Sequence, residues 1–313
     1  MKALITGASG FVGTYMTKIL MDHDSEVLGI SRSTSYLNGQ KSSIYNCDIL
    51  DKGGLNSILK DYRPDYIVHL AGPAFIPNCL NQPEFTYATI VKGTLNLLEV
   101  MRNLELSTKM LYVSSADVYG GRSEGVLTEM EQVVPANPYS SAKACAELLC
   151  RQYYLSYGMD IIVARPFNHT GPGQSTDFVC SSFAYQVAQM KNNNTDKLFT
   201  GNVDVWRDFL DVRDVVNAYM QLLQKGKSGE VYNVCSGSAI RIRDIIDILF
   251  RVAEISDYRI ILDQEKTRQN EIQIRFGNNN KIKSISDWSQ QYPIEQTITD
   301  LYQYWKENLH VKA

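Results

Sequence analysis

The chain has 313 residues, of which 44% are hydrophobic, so it contains enough apolar material for a sizeable core. That length predicts about two domains, or one large α/β unit with an added lobe. A count of 31 lysine and arginine residues against 34 acidic residues gives a net charge of −3. This balance disfavours a protein that binds nucleic acid or a membrane surface, because either would need a strong positive field.

The cysteines show no metal-binding spacing. None forms a Cys-x-x-Cys pair beside a histidine partner, so no metal site is predicted at the six positions Cys47, Cys79, Cys145, Cys150, Cys180 and Cys235. No apolar run approaches the roughly 18 residues of a membrane-spanning helix, and no secretory signal precedes the first predicted strand. We therefore expect a soluble cytoplasmic protein with free thiols, and no membrane partner.

Short β-branched runs alternate with amphipathic segments in the first half of the chain. Strands are predicted at Lys2–Thr6, Glu26–Ser31, Ser43–Cys47, Tyr66–Leu70, Met110–Ser114 and Asp160–Ala164. Helices are predicted from the first glycine turn to about Asp22, around Leu55–Leu59, and over Glu84–Arg102 and Pro138–Tyr157. This alternation predicts an α/β fold with a doubly wound parallel sheet, since right-handed crossovers cover both faces with helices.

The pattern becomes less regular after Arg165. We still expect a buried strand at Val231–Val234, a sheet-covering helix at Val212–Leu223, and helices near Ile240–Ala253 and Ile294–Trp305. We therefore assign residues 1–165 and 205–235 to a sheet domain. Residues 166–204 and 236–313 are assigned to a smaller interleaved C-terminal lobe.

A glycine-rich turn, Gly7-Ala-Ser-Gly-Phe-Val-Gly13, follows the first predicted strand. Glycines at these positions permit a tight turn, close approach of a pyrophosphate and close packing of helix on strand. The N-terminus of the next helix offers free N–H groups and a positive dipole to phosphates. Three glycines could form an ordinary loop, but their place in a βαβ unit indicates a dinucleotide site built from Gly7, Ser9, Gly10, Phe11, Val12 and Gly13.

The end of the second strand bears on which cofactor binds. Ser31 and Arg32 stand where an acidic residue would hold the adenosine ribose of NAD(H). A guanidinium there can pair with a 2′-phosphate, so Arg32 favours NADP(H), with NAD(H) as the alternative. An exposed loop arginine is the simpler interpretation. After the third strand, Asp48 and Ile49 are candidates for contact with the adenine, although an exposed loop aspartate is equally ordinary.

Tyr139 and Lys143 are four residues apart on one face of a predicted helix. The ammonium can lower the pKa of the phenol and hold the nicotinamide ribose. The same spacing recurs at Tyr302 and Lys306, so the pattern alone is not specific. Ser115 follows the fifth strand at the edge where doubly wound sheets bind ligands, although a strand-end cap is its alternative role. Ser115, Tyr139 and Lys143 together predict a proton-transfer set for a carbonyl or carbinol.

Four motifs together resemble the extended short-chain dehydrogenase/reductase family: Thr6-Gly-x-x-Gly-x-x-Gly13, His69-Leu-Ala71, Ser114-Ser-Ala-Asp-Val-Tyr-Gly120 and Tyr139-x-x-x-Lys143. The resemblance covers essentially the whole chain. Members of this family modify nucleotide-activated sugars as epimerases, dehydratases, reductases and decarboxylases. It implies that Ser115 takes the catalytic Ser/Thr position, that Tyr139 is the acid/base and that Lys143 modulates it. It also implies that Leu70, Ala71 and Gly72 lie near the nicotinamide.

The second half of the chain is most similar to the GDP-sugar branch of this family, which includes GDP-mannose 4,6-dehydratases and GDP-4-keto-6-deoxy-mannose reductases. The similarity rests on the segments Arg165–Gln174, Arg207–Val215, Val231–Gly237 and Arg268-x-x-Glu271, of which the last three favour the reductases. It implies that Asn168 and Val179 lie against the nucleotide sugar, that Arg207 and Arg268 reach its phosphates, and that Glu271 accepts ribose hydroxyls. Arginines suit a diphosphate because each guanidinium can donate two hydrogen bonds to a phosphate group. The alternative is that Arg207 and Arg268 form ion pairs on the surface.

Two departures from the family pattern lie near the nicotinamide half of the site. Ile90 stands where an asparagine is common, ahead of Val91-Lys-Gly-Thr94, and Gly72 replaces a second alanine after Ala71. A third departure concerns the reaction. Dehydratases usually carry Thr, a small polar residue and Glu after the fifth strand, whereas this chain has Ser115, Ala116 and Asp117.

This third departure favours a reductase. A dehydratase must protonate a leaving hydroxyl and remove the C5 proton, which suits an added carboxyl pair. Ala116 can do neither, and Asp117 is one methylene shorter than glutamate. Asp117 is also among the residues expected to bind the substrate.

We expect an NAD(P)H-dependent reductase of the C4 ketone of a GDP-4-keto-6-deoxy-hexose or a heptose analogue. Its product would be a GDP-6-deoxy sugar such as GDP-D-rhamnose, for a surface polysaccharide. A nucleotide-sugar 4-epimerase or 4,6-dehydratase with tightly held NAD(P) is the alternative, and a non-catalytic cofactor-sensing protein is the third. The resemblance implies a homodimer through Glu84–Arg102 and Pro138–Tyr157, although packing on their own sheet also explains the apolar stripes of these helices.

Overall fold

The structure is a computed structural model, and it describes residues 1–32, 43–121, 125–193, 195–263 and 272–309. The strands in chain order are β1 (Lys2–Thr6), β2 (Glu26–Ser31), β3 (Ser43–Asn46), β4 (Tyr66–His69), β5 (Lys109–Val113), β6 (Gly125–Leu127), β7 (Ile161–Pro166), β8 (Asn168–Thr170), β9 (Lys197–Thr200), β10 (Trp206–Arg207), β11 (Phe209–Asp211), β12 (Val231–Val234), β13 (Ile240–Arg241), β14 (Arg259–Leu262) and β15 (Ile274–Gly277).

The α-helices are α1 (Phe11–Asp22), α2 (Lys52–Tyr62), α3 (Ile76–Asn81), α4 (Pro83–Tyr87), α5 (Gly93–Asn103), α6 (Pro138–Tyr157), α7 (Val179–Asn193), α8 (Val212–Lys225), α9 (Ile242–Ala253), α10 (Asn280–Ile285) and α11 (Ile294–Glu307). A π-helical turn, Ala88–Lys92, joins α4 to α5, and a 3₁₀ turn, Ala116–Tyr119, follows β5.

Seven parallel strands form the main sheet, in the order β12-β7-β5-β4-β1-β2-β3. The order reverses beside β1, so the sheet is doubly wound and the predicted fold class is confirmed. Because all seven strands run in the same direction, the segments that follow β1, β4, β5 and β7 emerge at one edge.

Both faces of the main sheet are buried, which explains why its strands are continuously apolar. Successive side chains of a strand point to opposite faces. Ile5 therefore packs in a core cluster with α1 and α8, whereas its neighbour Leu4 packs in a second cluster with α2, α5 and α6.

The predicted helix over Glu84–Arg102 is divided in the structure into α4, the π-helical turn and α5. A π-helical turn widens the helix locally and is frequent near functional sites. It places Ile90 against the loop after β4, where a Cβ atom on Gly72 would lie 3.0 Å from Ile90 Cγ1. Two of the family departures are therefore in contact with each other.

The second half of the chain adds a third apolar cluster, in which α7, α9 and α11 pack together. The strand predicted at Val231–Val234 is confirmed as β12, which pairs with β7 in the main sheet. A smaller sheet has the order β13-β10-β15-β6, and β11 pairs with β8. This smaller sheet joins β6 from the first half of the chain to strands from the second half. The proposed division into a sheet domain and a lobe stays a prediction.

A buried histidine connects the centre of the main sheet to α5. His69 Nδ1 lies 2.6 Å from Thr6 Oγ1, and His69 Nε2 lies 2.9 Å from Thr94 Oγ1. The Thr94 hydroxyl donates to the carbonyl of Ile90, so its oxygen accepts from Nε2–H. Thr6 Oγ1 in turn accepts the N–H of Ala71. Burial, followed by the charge of Lys143, lowers the pKa of His69 to about 3. The imidazole is therefore neutral in the folded protein.

The turn between β1 and α1 depends on two glycines. Gly7 has φ +75°, a conformation that glycine adopts without strain. Gly13 lies where α1 crosses this turn: a Cβ atom there would lie 2.7 Å from the carbonyl oxygen of Ala8 and closer still to that of Gly7. Helix and strand approach closely only because position 13 has no side chain.

We predict that the stability of the protein falls between pH 7 and pH 5 because of His69. Its folded-state pKa lies below the ordinary value, so only the unfolded state takes up a proton in this range. The contribution is fully present above about pH 6.5 and is lost as the pH falls toward 3, by about 2 kcal/mol at pH 5. Urea unfolding at several pH values would measure it. His69→Gln keeps a donor and an acceptor, and should lack this part of the pH dependence; an unchanged slope would contradict the assignment.

We also predict that Gly13→Ala lowers the free energy of unfolding by about 1–3 kcal/mol, because its Cβ atom meets backbone that cannot move aside. Gly53→Ala is the matched control in α2, where the added Cβ atom would lie 3.5 Å from Asp51 Oδ1, an ordinary contact. Since alanine favours helix over glycine, this control should be neutral or stabilising by about 0.5–1 kcal/mol. Equal losses in the two variants would contradict the packing argument.

Candidate active site

The glycine turn and the N-terminus of α1 form a site that suits a diphosphate. The N-cap residue is Gly10, which offers no side-chain cap, and the first turn of α1 contains no acidic residue. The first N–H groups of a helix lack intrahelical acceptors, so those of Phe11, Val12 and Gly13 are directed toward a ligand at this end. The donors and the glycines therefore fit the pyrophosphate of a dinucleotide.

The structure places a second segment against this turn. The ring of Phe11 stacks on His169 with centroids 6.4 Å apart, and Tyr15 donates a hydrogen bond to the carbonyl of Pro172 at 2.8 Å. Burial lowers the pKa of His169 and raises that of Tyr15 to about 12. Both side chains are therefore neutral near pH 7. Neither was identified from the sequence, since their partners are more than 150 residues away.

The predicted adenosine contacts differ in their surroundings. Ser9 Oγ lies 2.5 Å from Ser31 Oγ, so the glycine turn is bonded to the end of β2. Arg32 is exposed, with its guanidinium 5.3 Å from the ring centroid of Phe85. The carboxylate of Asp48 accepts the N–H of Leu50 at 2.9 Å.

Ile49 offers a ligand fewer side-chain contacts than its neighbour Asp48 does. Its side chain belongs to the core, and its carbonyl accepts from Asn96 Nδ2 at 3.2 Å. Any contact of Ile49 with an adenine is therefore limited to its backbone. The predicted adenine contact of Ile49 is thus reduced to one made by its backbone.

Tyr139 and Lys143 are held by the beginning of α6. Asn137 caps this helix by accepting the N–H of Ser140 at 2.9 Å, and Ser140 Oγ accepts the N–H of Asn137 in return. Lys143 Nζ donates to the carbonyl of Val113 at the end of β5, at 2.7 Å, and lies 6.0 Å from the ring centroid of Tyr139. The cap and this bond together fix the helix against the strand that precedes Ser115.

Ser115 caps the 3₁₀ turn after β5, since its Oγ accepts the N–H of Asp117 at 3.1 Å. Its hydroxyl proton is therefore directed elsewhere, and a side-chain bond between Ser115 and Tyr139 lowers the pKa of the phenol. The structure thus brings Ser115, Tyr139 and Lys143 together, as predicted. Their catalytic roles stay predictions at this point.

Burial favours the protonated phenol of Tyr139 and lowers the pKa of the Lys143 ammonium, while nearby charges add to the first shift and oppose the second. Burial and then the charge of Asp117 raise the pKa of Tyr139 far above its ordinary value, against the bond with Ser115. Burial lowers the pKa of Lys143 to about 8, against the charge of Glu147. The predicted effect of Lys143 on the phenol is not among these causes and stays a prediction.

Glu147, one turn after Lys143, is itself paired. Its two oxygens accept from Arg165 Nε at 3.0 Å and Nη2 at 2.7 Å, and both side chains are buried. The guanidinium lies 4.8 Å from the ring centroid of Tyr119, in the 3₁₀ turn that Ser115 caps. Tyr119 donates to Asn233 Oδ1 on β12 at 2.7 Å. One polar network therefore connects α6, β7, β12 and this turn.

Apart from Asp117, the predicted substrate contacts lie in the second half of the chain. Asn168 is exposed on β8 and donates to the carbonyl of Asp208 at 3.2 Å. Val179, the first residue of α7, is 38% exposed. Arg207 Nη1 donates to the carbonyl of Ile272, at 2.8 Å. The other two predicted contacts, Arg268 and Glu271, lie outside the described residues.

The described part of the chain contains no helix long and apolar enough to cross a membrane. In the same residues, no group of three or more His, Cys, Asp and Glu side chains could hold a metal ion. All six cysteines are free thiols, of which Cys145 is exposed.

The comparisons with known proteins agree with this geometry. A family model described as GDP-mannose 4,6 dehydratase matches residues 4–301. A GDP-6-deoxy-D-mannose reductase of Pseudomonas aeruginosa is 35% identical over 98% of each chain, and a GDP-6-deoxy-D-talose 4-dehydrogenase of Aggregatibacter actinomycetemcomitans is 31% identical over 91% of each. The structure of RMD from Pseudomonas aeruginosa complexed with NADPH matches at 34% identity with a TM-score of 0.86, over 98% of this chain and 99% of that one. The chain therefore belongs to the GDP-mannose 4,6 dehydratase family of the extended short-chain dehydrogenases/reductases.

Proposed function

We propose that the protein reduces the C4 ketone of a GDP-4-keto-6-deoxy sugar, such as GDP-4-keto-6-deoxy-D-mannose or a heptose analogue, with NADPH. The observation that carries this proposal is the buried phenol of Tyr139 beside Ser115 and Lys143. Burial and a neighbouring carboxylate keep the phenol protonated, and reduction of a ketone requires a proton donor. The 35% identity to a GDP-6-deoxy-D-mannose reductase supports the same reaction.

The proton moves from Tyr139 Oη to the C4 oxygen as negative charge develops on that oxygen. Ser115 donates a hydrogen bond to the same oxygen, since its own Oγ accepts from the N–H of Asp117 and its proton is directed away from the turn. Lys143 stabilises the phenolate that is left and orients the ribose of the cofactor. When bound, NADPH supplies the hydride that reaches C4.

The cofactor residues are proposed from their place around the glycine turn. Gly7, Ser9, Gly10, Phe11, Val12 and Gly13 would hold the pyrophosphate. Arg32 would pair with a 2′-phosphate, which favours NADP(H) over NAD(H), in agreement with the NADPH complex of the similar structure. Leu70, Ala71 and Gly72 follow β4 at the same edge of the sheet and would lie beside the nicotinamide, while Asp48 and the backbone of Ile49 would face the adenine.

The substrate residues are proposed on the other side of this edge. Arg207 and Arg268 would bind the diphosphate and Glu271 the ribose hydroxyls. Asn168 and Val179 would lie against the nucleotide sugar, with Asp117 near the reacting sugar. This arrangement assigns residues 1–165 and 205–235 to the NADP(H)-binding domain and residues 166–204 and 236–313 to the nucleotide-sugar lobe. We place the enzyme in the cytoplasm.

A homodimer is part of this proposal. Leu148 and Leu155 of α6 are each 68% exposed, and Tyr87 of α4 is 38% exposed on the neighbouring helix. Apolar side chains that lie together on an exposed helical surface favour burial against a second copy. Sedimentation at micromolar concentration would test this, and a monomer would refute it.

A 4-epimerase or a 4,6-dehydratase is the second candidate, because the family model carries the name of a dehydratase. Such enzymes return the hydride to the sugar and consume no NADPH. Incubation with NADPH and GDP-4-keto-6-deoxy-mannose generated in situ distinguishes the two. Steady loss of reduced nicotinamide with formation of a GDP-6-deoxy sugar supports the reductase. No loss with this keto sugar, together with epimerisation or dehydration of GDP-mannose in a parallel incubation, refutes it.

We predict that Tyr139→Phe lowers kcat by about 100-fold to 10,000-fold, because the proton donor is removed. Its affinity for NADPH, measured by fluorescence titration, should stay within about twofold, since the glycine turn is unchanged. Tyr302→Phe is the matched control, because it removes the phenol hydroxyl of the other Tyr-x-x-x-Lys pair, on α11. Retained turnover in Tyr139→Phe would exclude this residue as the proton donor.

We predict that Arg32→Ala raises the Kd of NADPH by about 10-fold to 100-fold, since one charge-assisted bond to the 2′-phosphate is lost. The Kd of NADH should change little, because NADH lacks this phosphate. Arg251→Ala, which removes an exposed arginine from α9, is the control. A parallel loss of affinity for both cofactors would assign Arg32 to a structural role instead.

A further inference from the structure

Arg275 reaches from the smaller sheet to the turn that Ser115 caps. It lies on β15, and its side chain is 12% exposed. Nη1 donates to Asp117 Oδ1 at 2.8 Å, and Nη2 donates to the carbonyl of Gly120 at the end of the same turn. The guanidinium therefore holds the 3₁₀ turn at two points, one charged and one neutral.

Asp117 is the residue through which this contact reaches the reacting groups. Its N–H donates to Ser115 Oγ, and its negative charge is one of the causes that raise the pKa of the Tyr139 phenol. Asp117 therefore lies close enough to influence both Ser115 and Tyr139. A positive charge beside the Asp117 carboxylate offsets the electrostatic field that this carboxylate exerts on the Tyr139 phenol.

The same strand also borders the proposed diphosphate contact. β15 pairs with β10 so that Arg275 is opposite Arg207, and Arg207 donates to the carbonyl of Ile272, three residues before Arg275. The proposed phosphate-binding arginine and the arginine that holds Asp117 are therefore neighbours on one pair of strands.

We propose that Arg275 is a positioning residue for proton transfer: it fixes the Asp117 carboxylate and the turn that carries Ser115, and it offsets the charge of Asp117 beside the Tyr139 phenol. This inference rests on the proposed reductase activity. It assigns to Arg275 an effect on the reaction step rather than on binding, because its contacts are with the turn. The alternative is that Arg275 only stabilises the turn through the carbonyl of Gly120.

A double-mutant cycle separates these two roles. We expect Arg275→Met to lower kcat by about 10-fold to 100-fold with KM for the sugar within about threefold, because the turn shifts and the charge of Asp117 is no longer offset. In an Asp117→Asn background the same change should lower kcat by less than about threefold. Arg275→Lys, which keeps the charge, should recover part of the loss. Equal losses in both backgrounds, or no loss, would overturn the proposal.

The Arg275→Lys variant tests the electrostatic part of the proposal separately, because lysine keeps a positive charge beside Asp117 but cannot make both contacts of the guanidinium. A loss of kcat in Arg275→Lys as large as that in Arg275→Met would contradict the electrostatic part of the proposal.

Arg259→Met is the matched control, since Arg259 also pairs with an aspartate, Asp196, but on β14 at the exposed end of the lobe. Its kcat should equal that of the wild type. The outcomes also separate this proposal from the proposed function. A wild-type protein that does not oxidise NADPH with the keto sugar overturns both, whereas wild-type turnover with additive effects overturns the role of Arg275 alone.

Discussion

The candidate site depends on one buried ammonium. Burial disfavours the charge of Lys143, and the structure compensates with the carbonyl of Val113 and the carboxylate of Glu147. A buried carboxylate needs a partner in turn, and Arg165 supplies it from β7. The requirement to balance one charge thus links α6 to β5 and β7, the two strands that end beside Ser115 and the proposed sugar site.

Much of this architecture can be predicted from the sequence because it rests on short-range patterns. The apolar runs of a two-sided parallel sheet, the glycine turn after β1 and the spacing of Tyr139 and Lys143 are all local. The π-helical turn at Ile90 is not, since the same residues would also suit a regular helix. The contacts of Phe11 with His169 and of Asp117 with Arg275 were missed for a related reason: they join residues 158 positions apart, and nothing near either partner indicates the other.

The near-neutral net charge partly reflects arginines that are paired with carboxylates inside the protein. Besides the proposed phosphate-binding arginines, two others are occupied by carboxylates: Arg165 by Glu147, one turn after Lys143, and Arg275 by Asp117, in the turn that Ser115 caps. Each pair joins segments that are distant in the chain. Both of these arginines therefore have their charges balanced by a carboxylate of the protein itself. The proposed ligand contacts, such as Arg32, lie farther out along the same edge of the sheet.

The position of β12 limits where the chain can be divided into fragments. β12 comes from residues 231–234 and covers β7, which would otherwise be the outer edge of the main sheet. A fragment ending near residue 165 would expose that edge and remove Asn233, the partner of Tyr119. Residues 1–165 therefore do not contain all the strands of the main sheet. Exchanging the proposed sugar-binding lobes between relatives would have to preserve the return of the chain to this strand.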